Sequence, residues 1–311
     1  MGVIARWRER LPVGPETPEL TLGEGDTPLV HAPRLSERLG HELHLKVEGA
    51  NPTGSFKDRG MVVAVAKALE EGAQGVVCAS TGNTAASAAA YAARAGIEAL
   101  ILHPAGAVAG PKLAQARIAG ANIVAIDGSF DDALRACLAV SESGSHVLVN
   151  SLNPYRIEGQ KTAAFEICEQ LGRAPQVLAL PYGGGGNTVA YAAGFADARH
   201  GSPHIVSAES TQRSTTVASA IRIAEPVHRN EVEGAGATVV GVDDDELLEA
   251  WSELARLEGL FCEPASAAGY AALKRLRLSG IAVCVLTGNG LKDPALVDAV
   301  APADEALEAA S

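Results

Sequence analysis

One lysine lies in a setting that favours covalent chemistry. Lys57 belongs to the motif NPTGSFKDRG, between a turn rich in Pro and Gly and an apolar stretch that begins near Met61. This spacing predicts a loop that enters a helix at Lys57. The helix dipole and desolvation both disfavour the ammonium form there, and a neutral amine is what Schiff-base formation requires. The alternative is a surface lysine beside Asp58 and Arg59.

A second motif, STGNT (80–84), follows the strand pattern GVVCAS and precedes the helix pattern AASAAAYAARAG. Hydroxyl and amide side chains commonly cap a helix start, and capping needs only one of them. Four of the five positions, Ser80, Thr81, Asn83 and Thr84, carry such groups. We therefore predict an anion site beside free backbone N–H groups, suited to an amino-acid carboxylate.

A third motif, GGGGNT (183–188), follows the strand pattern VLALPY. Consecutive glycines are costly in conformational entropy, but they suit a loop whose backbone N–H groups surround a phosphate. The motif lacks the third glycine of the dinucleotide fingerprint and the Gly-Lys-Ser/Thr of a P-loop. A phosphate-binding loop is the prediction, and a flexible loop is the alternative.

Two further motifs also follow strand patterns. In NSLNPYRIEGQK (150–161), Arg156 offers a planar fork suited to phosphate or carboxylate, and Asn150 and Ser151 add neutral donors. A solvated loop with a salt bridge from Arg156 to Glu158 fits this stretch equally well. In LTGNGLKD (286–293), Thr287 lies at the end of the last strong strand pattern, where a simple glycine turn is the alternative.

Strand–helix units must position these motifs. Short apolar, β-branched runs predict strands, and Ala-rich helical patterns separate several of them. The predicted strands are 43–49, 75–80, 98–104, 122–128, 146–150, 177–182, 204–209 and 282–288. This alternation predicts an α/β fold with mostly parallel sheets and helices on both faces. The number of strands predicts two open twisted-sheet units, and ligands of such sheets bind at the carboxyl ends of the strands.

Composition limits the classes of partner. The net charge of −12 argues against nucleic acid and against an anionic membrane. Five cysteines without a CxxC argue against a disulfide framework or a zinc site. The start MGVIARWRERLPVG lacks the apolar run of a signal peptide, and no apolar run reaches membrane-spanning length. These features predict a cytoplasmic protein, and the tail ADEALEAAS predicts a short helix or a frayed end.

Taken together, NPTGSFKDRG, CASTGNTAAS, NPYRIEGQKTAAFEI, GGGGNT, FCEPASAA and LTGNGLKDP resemble the short bacterial threonine synthases, from about Arg6 to Pro294. These enzymes use pyridoxal 5′-phosphate (PLP) and have the tryptophan-synthase-β-like fold, called fold type II. The resemblance implies PLP in the cleft between two domains, a small amino-acid substrate and a homodimer. We expect residues 1–53 and 148–311 to form the larger cofactor domain, and residues 54–147 a smaller mobile substrate domain.

The resemblance also implies roles for individual residues. Lys57 would bind PLP covalently and shuttle protons, Asn83 would bond the ring hydroxyl, and Thr287 would contact the pyridine nitrogen. The cofactor phosphate would lie against Gly183, Gly184, Gly185, Gly186 and Asn187. The substrate carboxylate would lie against Ser80, Thr81, Asn83 and Thr84, and the substrate phosphate against Asn150, Ser151 and Arg156.

The implied reaction converts O-phospho-L-homoserine and water into L-threonine and phosphate, by elimination at Cγ and hydration at Cβ. The segment from Glu209 to Val239 departs from the family's pattern, so other outcomes stay open. They are a serine/threonine dehydratase, a β-replacement enzyme of the cysteine synthase kind and a non-catalytic ligand sensor. A nucleotide-binding oxidoreductase would need a GxGxxG unit, which we do not find in the sequence.

Overall fold

The structure, a computed structural model, describes residues 1–106 and 110–300. Strands and helices alternate along these ranges. The strands are Leu29–His31 (β1), Leu43–Val47 (β2), Gly75–Ala79 (β3), Glu98–Pro104 (β4), Asn122–Ile126 (β5), His146–Leu148 (β6), Val177–Pro181 (β7), His204–Ser210 (β8), Thr238–Val242 (β9) and Ala282–Leu286 (β10). All eight predicted strands are confirmed, and β1 and β9 were not predicted. The tail at 303–311 lies outside the described residues.

The helices fall mostly between consecutive strands. They are Val3–Trp7 (α1), Pro33–Leu39 (α2), Lys57–Glu70 (α3), Asn83–Ala95 (α4), Pro111–Ile118 (α5), Phe130–Glu142 (α6), Pro154–Gln160 (α7), Thr162–Leu171 (α8), Gly186–Ala198 (α9), Arg229–Gly234 (α10), Asp244–Glu258 (α11), Ala268–Lys274 (α12) and Val297–Val300 (α13). In the two described ranges, no helix is both long and apolar enough to cross a membrane.

Two sheets organise the chain. The six-stranded sheet has the order β1-β2-β10-β7-β8-β9, and only its β1–β2 pair is antiparallel. The four-stranded sheet has the order β5-β4-β3-β6 and is entirely parallel. The predicted α/β class with mostly parallel sheets is therefore confirmed.

Strand order brings the sequence motifs together. Strand β10 pairs with β2 on one side and with β7 on the other. Because parallel strands share one carboxyl edge, the loop to Lys57, Thr287 and the glycine run leave the same edge of adjacent strands. In the smaller sheet β3 and β6 are neighbours, so Ser80 and Asn150 also follow adjacent strands.

The core rests on small aliphatic residues. Helix α3 is buried along most of its length, including Met61 and Val65, and it shares one apolar cluster with Phe165 of α8. A second cluster around Trp251 and Leu247 covers the other face of the six-stranded sheet. Strand β5 differs from the predicted fully covered strands, because it lies at a sheet edge and its Val124 is exposed.

The five cysteines are all buried and carry free thiols. Burial raises the pKa of the Cys78 thiol to about 12 and that of Cys284 to about 12. These thiols therefore stay protonated near neutral pH and pack as small apolar groups.

Candidate active site

A tightly bonded turn presents Lys57. The buried Asp58 carboxylate accepts hydrogen bonds from the Thr53 N–H at 2.7 Å, the Thr53 hydroxyl at 2.6 Å and the Ser87 hydroxyl at 2.6 Å. The Phe56 N–H donates to the Thr287 carbonyl at 3.0 Å. These bonds place Lys57 at the first turn of α3, next to the end of β10. Asp58 and Arg59 are fully buried, so the surface setting considered for this stretch does not occur.

The Lys57 amine has an environment that favours its neutral form. The residue keeps partial exposure, and its Nζ lies 4.4 Å from the centre of the Phe56 ring. Burial of the amine is the main cause that lowers its pKa from 10.5 to about 7. The positive charge of Arg156 acts in the same direction, whereas the negative charge of Glu263 opposes it. A substantial fraction of the amine is thus neutral near pH 7 and able to act as a nucleophile or base.

A close helix crossing places Arg156 near Lys57. A Cβ on Gly60 would lie 2.3 Å from the Arg156 carbonyl oxygen, and a Cβ on Gly159 would lie 2.1 Å from the Arg59 carbonyl oxygen. Only glycine permits this approach of α3 and α7. Arg156 is 1 % exposed, and its Nη1 donates to the Val149 carbonyl at 2.7 Å. The salt bridge to Glu158 that the sequence left open is not formed, because Glu158 pairs with Lys161.

The glycine run forms a covered loop at the start of α9. Gly185 has φ of 93°, a left-handed conformation that favours glycine. A Cβ on Gly183 would lie 3.2 Å from the Ala220 carbonyl oxygen, and one on Gly185 would lie 3.1 Å from His228 Cβ. The segment that departs from the family's pattern therefore covers this loop. Backbone N–H groups at the start of α9 lie in the arrangement that binds phosphate in other proteins.

The start of α4 carries the STGNT side chains. The Ser80 hydroxyl accepts from the Gly82 N–H at 3.0 Å, and Ser80, Thr81 and Thr84 all keep partial exposure. Asn83 is buried, and its amide Nδ2 donates to both oxygens of Glu263, at 3.0 Å and 3.1 Å. Three of the four polar side chains are thus accessible to a ligand at a helix N-terminus.

The loop after β6 shows a more structural arrangement. The Asn150 side chain accepts from the Ala79 N–H at 2.9 Å and donates to the Ala79 carbonyl at 3.0 Å. It therefore joins the ends of β3 and β6, with one amide hydrogen left for a ligand. The Ser151 carbonyl lies 3.2 Å from His228 Nε2, which must carry the proton in that contact.

Thr287 lies at the carboxyl end of β10, and its hydroxyl lies 3.0 Å from the Ser266 hydroxyl. Ser266 also accepts from the Gly288 N–H at 3.0 Å. The two hydroxyls can exchange donor and acceptor roles, so Thr287 can either donate to or accept from a ring nitrogen.

Three residues that contact this region have no role predicted from the sequence: Lys112, His228 and Glu263. Glu263 lies in FCEPASAA, and its position between apolar residues is the feature of the sequence that could have indicated a buried functional carboxylate. His228 links the glycine loop to Ser151, because its N–H donates to the Gly184 carbonyl at 3.0 Å. Lys112 lies on α5 in a stretch without a recognisable motif.

Several motif residues carry buried polar atoms that have no hydrogen-bond partner within the described ranges. These atoms are Ser55 Oγ, Asn83 Oδ1, Arg156 Nε, Arg156 Nη2 and Asn187 Nδ2. A buried polar group without a partner costs about 1–3 kcal/mol, and native proteins usually avoid it. With a nucleophilic lysine and a phosphate-type glycine loop, this set fits a phosphorylated, aldehyde-bearing cofactor and an anionic substrate.

Comparison with known proteins identifies relatives across almost the whole chain. The family model described as "Pyridoxal-phosphate dependent enzyme" matches residues 20–288. A threonine synthase of Halalkalibacterium halodurans is 49% identical over 318 residues, covering 94% of this chain and 90% of that protein. A threonine synthase of Mycobacterium tuberculosis is 48% identical over 320 residues, covering 94% and 89%. One of Methanosarcina acetivorans is 42% identical over 333 residues, covering 94% and 81%.

Solved structures with lower identity share the fold. Maize serine racemase superposes with a TM-score of 0.79 at 24% identity, covering 96% of this chain and 94% of that one. The processed form of threonine deaminase isoform 2 from Solanum lycopersicum has a TM-score of 0.77 at 24% identity, covering 88% and 82%.

Proposed function

The chain belongs to the family of pyridoxal-phosphate-dependent enzymes, and on this premise we propose that it has threonine synthase activity. It converts O-phospho-L-homoserine and water into L-threonine and phosphate. The observation that carries the proposal is that Lys57, whose pKa is lowered to about 7, lies near the buried Arg156. The Arg156 guanidinium has two nitrogens without partners in the described ranges. The close relatives named threonine synthase support it across 94% of the chain.

The reaction balances as a replacement across two carbons. The Cγ–O bond breaks and phosphate leaves. One C–H bond at Cβ breaks and the hydroxyl of water bonds there, a proton is delivered to Cγ, and the remaining proton of water goes to the released phosphate. Bound PLP supplies an electron sink for negative charge that develops beside the substrate amine. Lys57, as a free and neutral amine, would take the α proton and later return it, and would move a proton from Cβ to Cγ.

Cofactor binding is assigned to residues at the carboxyl edge of the six-stranded sheet. Lys57 would form the covalent link, and Thr287 with Ser266 behind it would contact the ring nitrogen. The phosphate would lie at the start of α9 against Gly183, Gly184, Gly185, Gly186 and Asn187. Asn187 Nδ2 has no hydrogen-bond partner among the described residues and is a donor that an anion would satisfy.

Substrate binding is assigned to residues that follow the carboxyl ends of β3 and β6 in the smaller sheet. The carboxylate would lie at the start of α4, against Ser80, Thr81, Asn83 and Thr84, where backbone N–H groups and the helix dipole favour an anion. Arg156 would bind the leaving phosphate with Nε and Nη2, which have no partner in the part of the chain that the structure describes. Ser151 and the remaining amide hydrogen of Asn150 would assist. Neutralising the leaving group in this way favours Cγ–O cleavage.

The first test is an assay of the protein reconstituted with PLP and given O-phospho-L-homoserine. We expect threonine and free phosphate in equal amounts. Lys57→Ala should abolish turnover. Arg156→Leu should lower kcat/KM by roughly 10–100-fold, because hydrogen bonds to a charged group contribute about 1.5–3 kcal/mol. The exposed Arg117→Leu serves as the matched control and should behave like the wild type.

Formation of an α-keto acid from free threonine, with no phosphate-dependent substrate preference, would instead favour the dehydratase. Cofactor binding without any product from either substrate would favour a ligand sensor. An Arg156→Leu variant with unchanged kcat/KM would remove Arg156 from the phosphate site.

We further propose that residues 54–147 move as a smaller substrate domain against residues 1–53 and 148–311, and that the enzyme is a cytoplasmic homodimer. The two separate sheets and the resemblance to threonine synthases support this proposal. Light scattering of the purified protein should give twice the chain mass of 31.8 kDa. A monomer with full activity would contradict the dimer.

A further inference from the structure

A buried carboxylate lies behind Asn83. The Glu263 oxygens accept from Asn83 Nδ2 at 3.0 Å and 3.1 Å, and Lys112 Nζ lies 3.1 Å from Glu263 Oε2. All three residues are more than nine-tenths buried, with relative exposures of 6% for Asn83, 1% for Glu263 and 7% for Lys112. The three form a chain that starts on α5, crosses to the loop before α12 and ends at α4.

This contact fixes the orientation of the Asn83 amide. A carboxylate only accepts hydrogen bonds, so the NH₂ group of Asn83 must face Glu263. The reverse orientation would bring the amide oxygen against two carboxylate oxygens, which are mutually repulsive. The other end of the amide, Oδ1, is buried and has no hydrogen-bond partner within the described ranges. Asn83 is therefore left with an open acceptor.

Glu263 itself has little freedom to move. Its N–H donates to the Gly288 carbonyl at 2.9 Å, and a Cβ on Gly288 would lie 2.3 Å from Glu263 Oε1. Lys112, the cation that pairs with Glu263, is also held in place. It donates to the Ser219 hydroxyl at 3.2 Å and lies 3.6 Å from Asp293. The carboxylate thus stays in place and remains paired with a cation.

We propose that Glu263 is a positioning residue that turns Asn83 into a hydrogen-bond acceptor for the ring hydroxyl of bound PLP, while Lys112 holds the Glu263 carboxylate in place. The inference rests on the proposed cofactor site and assigns a direction to one of its hydrogen bonds. A hydroxyl that donates to Asn83 Oδ1 keeps its proton, which lowers the negative charge on the ring oxygen. The pair Glu263–Lys112 would therefore tune the electronic state of the cofactor without touching it.

The test compares wild-type protein with E263Q by the absorption spectrum of the bound cofactor without substrate. A glutamine amide can donate to the Asn83 oxygen, so the Asn83 amide can rotate and offer its NH₂ group instead. We expect the cofactor absorption band to shift, and cofactor affinity to fall about fivefold because a net hydrogen bond contributes roughly 1 kcal/mol. Glu253→Gln is the matched control: it removes a carboxylate on α11 that pairs with Arg38 and Lys274 and contacts neither Asn83 nor Lys112, so the spectrum should stay unchanged.

An E263Q spectrum and cofactor affinity equal to those of the wild type would overturn the inference. So would a shift of the same size in the Glu253→Gln control. If E263Q does not fold, Lys112→Gln decides in its place, because loss of the cation should shift the band in the same direction, and an unshifted band overturns the inference. A wild-type protein that binds PLP but releases no threonine would reject the proposed activity, while the spectral comparison would still test Glu263.

Discussion

The pKa of Lys57 can be measured directly in the protein without cofactor. A lysine with the ordinary pKa of 10.5 is almost entirely protonated at neutral pH, whereas the Lys57 pKa of about 7 leaves about half of its amine neutral. At pH 7 the neutral fraction should therefore be about 10³-fold larger than for a free lysine. Because burial is the main cause, the shift should persist at high salt, where exposed charge pairs are screened.

The measurement is the rate at which a lysine-directed acylating reagent modifies Lys57 between pH 5.5 and 10, followed by peptide mass spectrometry. We expect the rate to rise to about pH 7 and then to level off. Lys67 is the internal control, because its hydrogen bond with Glu70 raises its pKa above 10.5. Its modification rate should therefore keep rising with each pH unit across the range.

Arg156→Leu should move the Lys57 midpoint upward but leave it below 10.5, because the charge of Arg156 is only the second cause of the shift. A Lys57 profile that follows Lys67 up to pH 10 would refute the argument from burial. The same shift has a consequence for stability. Between about pH 7 and 10.5 the unfolded chain binds a proton that folded Lys57 does not, so the free energy of unfolding should rise with pH in that window.

Three further predictions concern the scaffold. Gly60→Ala should lower the free energy of unfolding by about 1–3 kcal/mol and weaken binding of the phosphorylated substrate, because the new Cβ would push the Arg156 backbone away. Urea unfolding measures the first effect and KM the second. Burial alone would raise the pKa of Glu166, but Arg59 and Lys46 lower it below 4.5. The ionised Glu166 should therefore stabilise the folded protein above about pH 4.5, and this contribution should be lost as the pH falls below that value. Thermal melting from pH 7 to 3 should therefore show a steeper loss for wild type than for Glu166→Gln. Gly185→Ala should reduce PLP affinity in a fluorescence titration, because a left-handed backbone costs a side-chain-bearing residue about 1–2 kcal/mol.

Short-range patterns account for what the sequence predicted well. The eight predicted strands and the helices after them follow from runs of apolar residues and from turn residues, which act over a few positions. The two strands that were missed are weak signals: β1 has three residues, and β9 contains Gly241 and lies at a sheet edge with its first two residues exposed. Strand β5 shows a different error: its apolar composition predicts a buried strand, but it lies at the edge of the sheet, where its residues are partly exposed.

The sequence alone determined which chemical groups are available: a lysine at a helix start, a glycine run before another helix, and an arginine in a polar stretch that follows a strand. Each is a local motif whose residue types carry the meaning. The tertiary structure decided which of these groups act together, through the insertion of β10 between β2 and β7 and the contact of Gly60 with α7. It also revealed that Asn150 joins two strands and that Glu263 and Lys112 lie behind Asn83. These contacts join residues far apart in the chain, and their geometry depends on the packing of whole sheets, which no local pattern encodes.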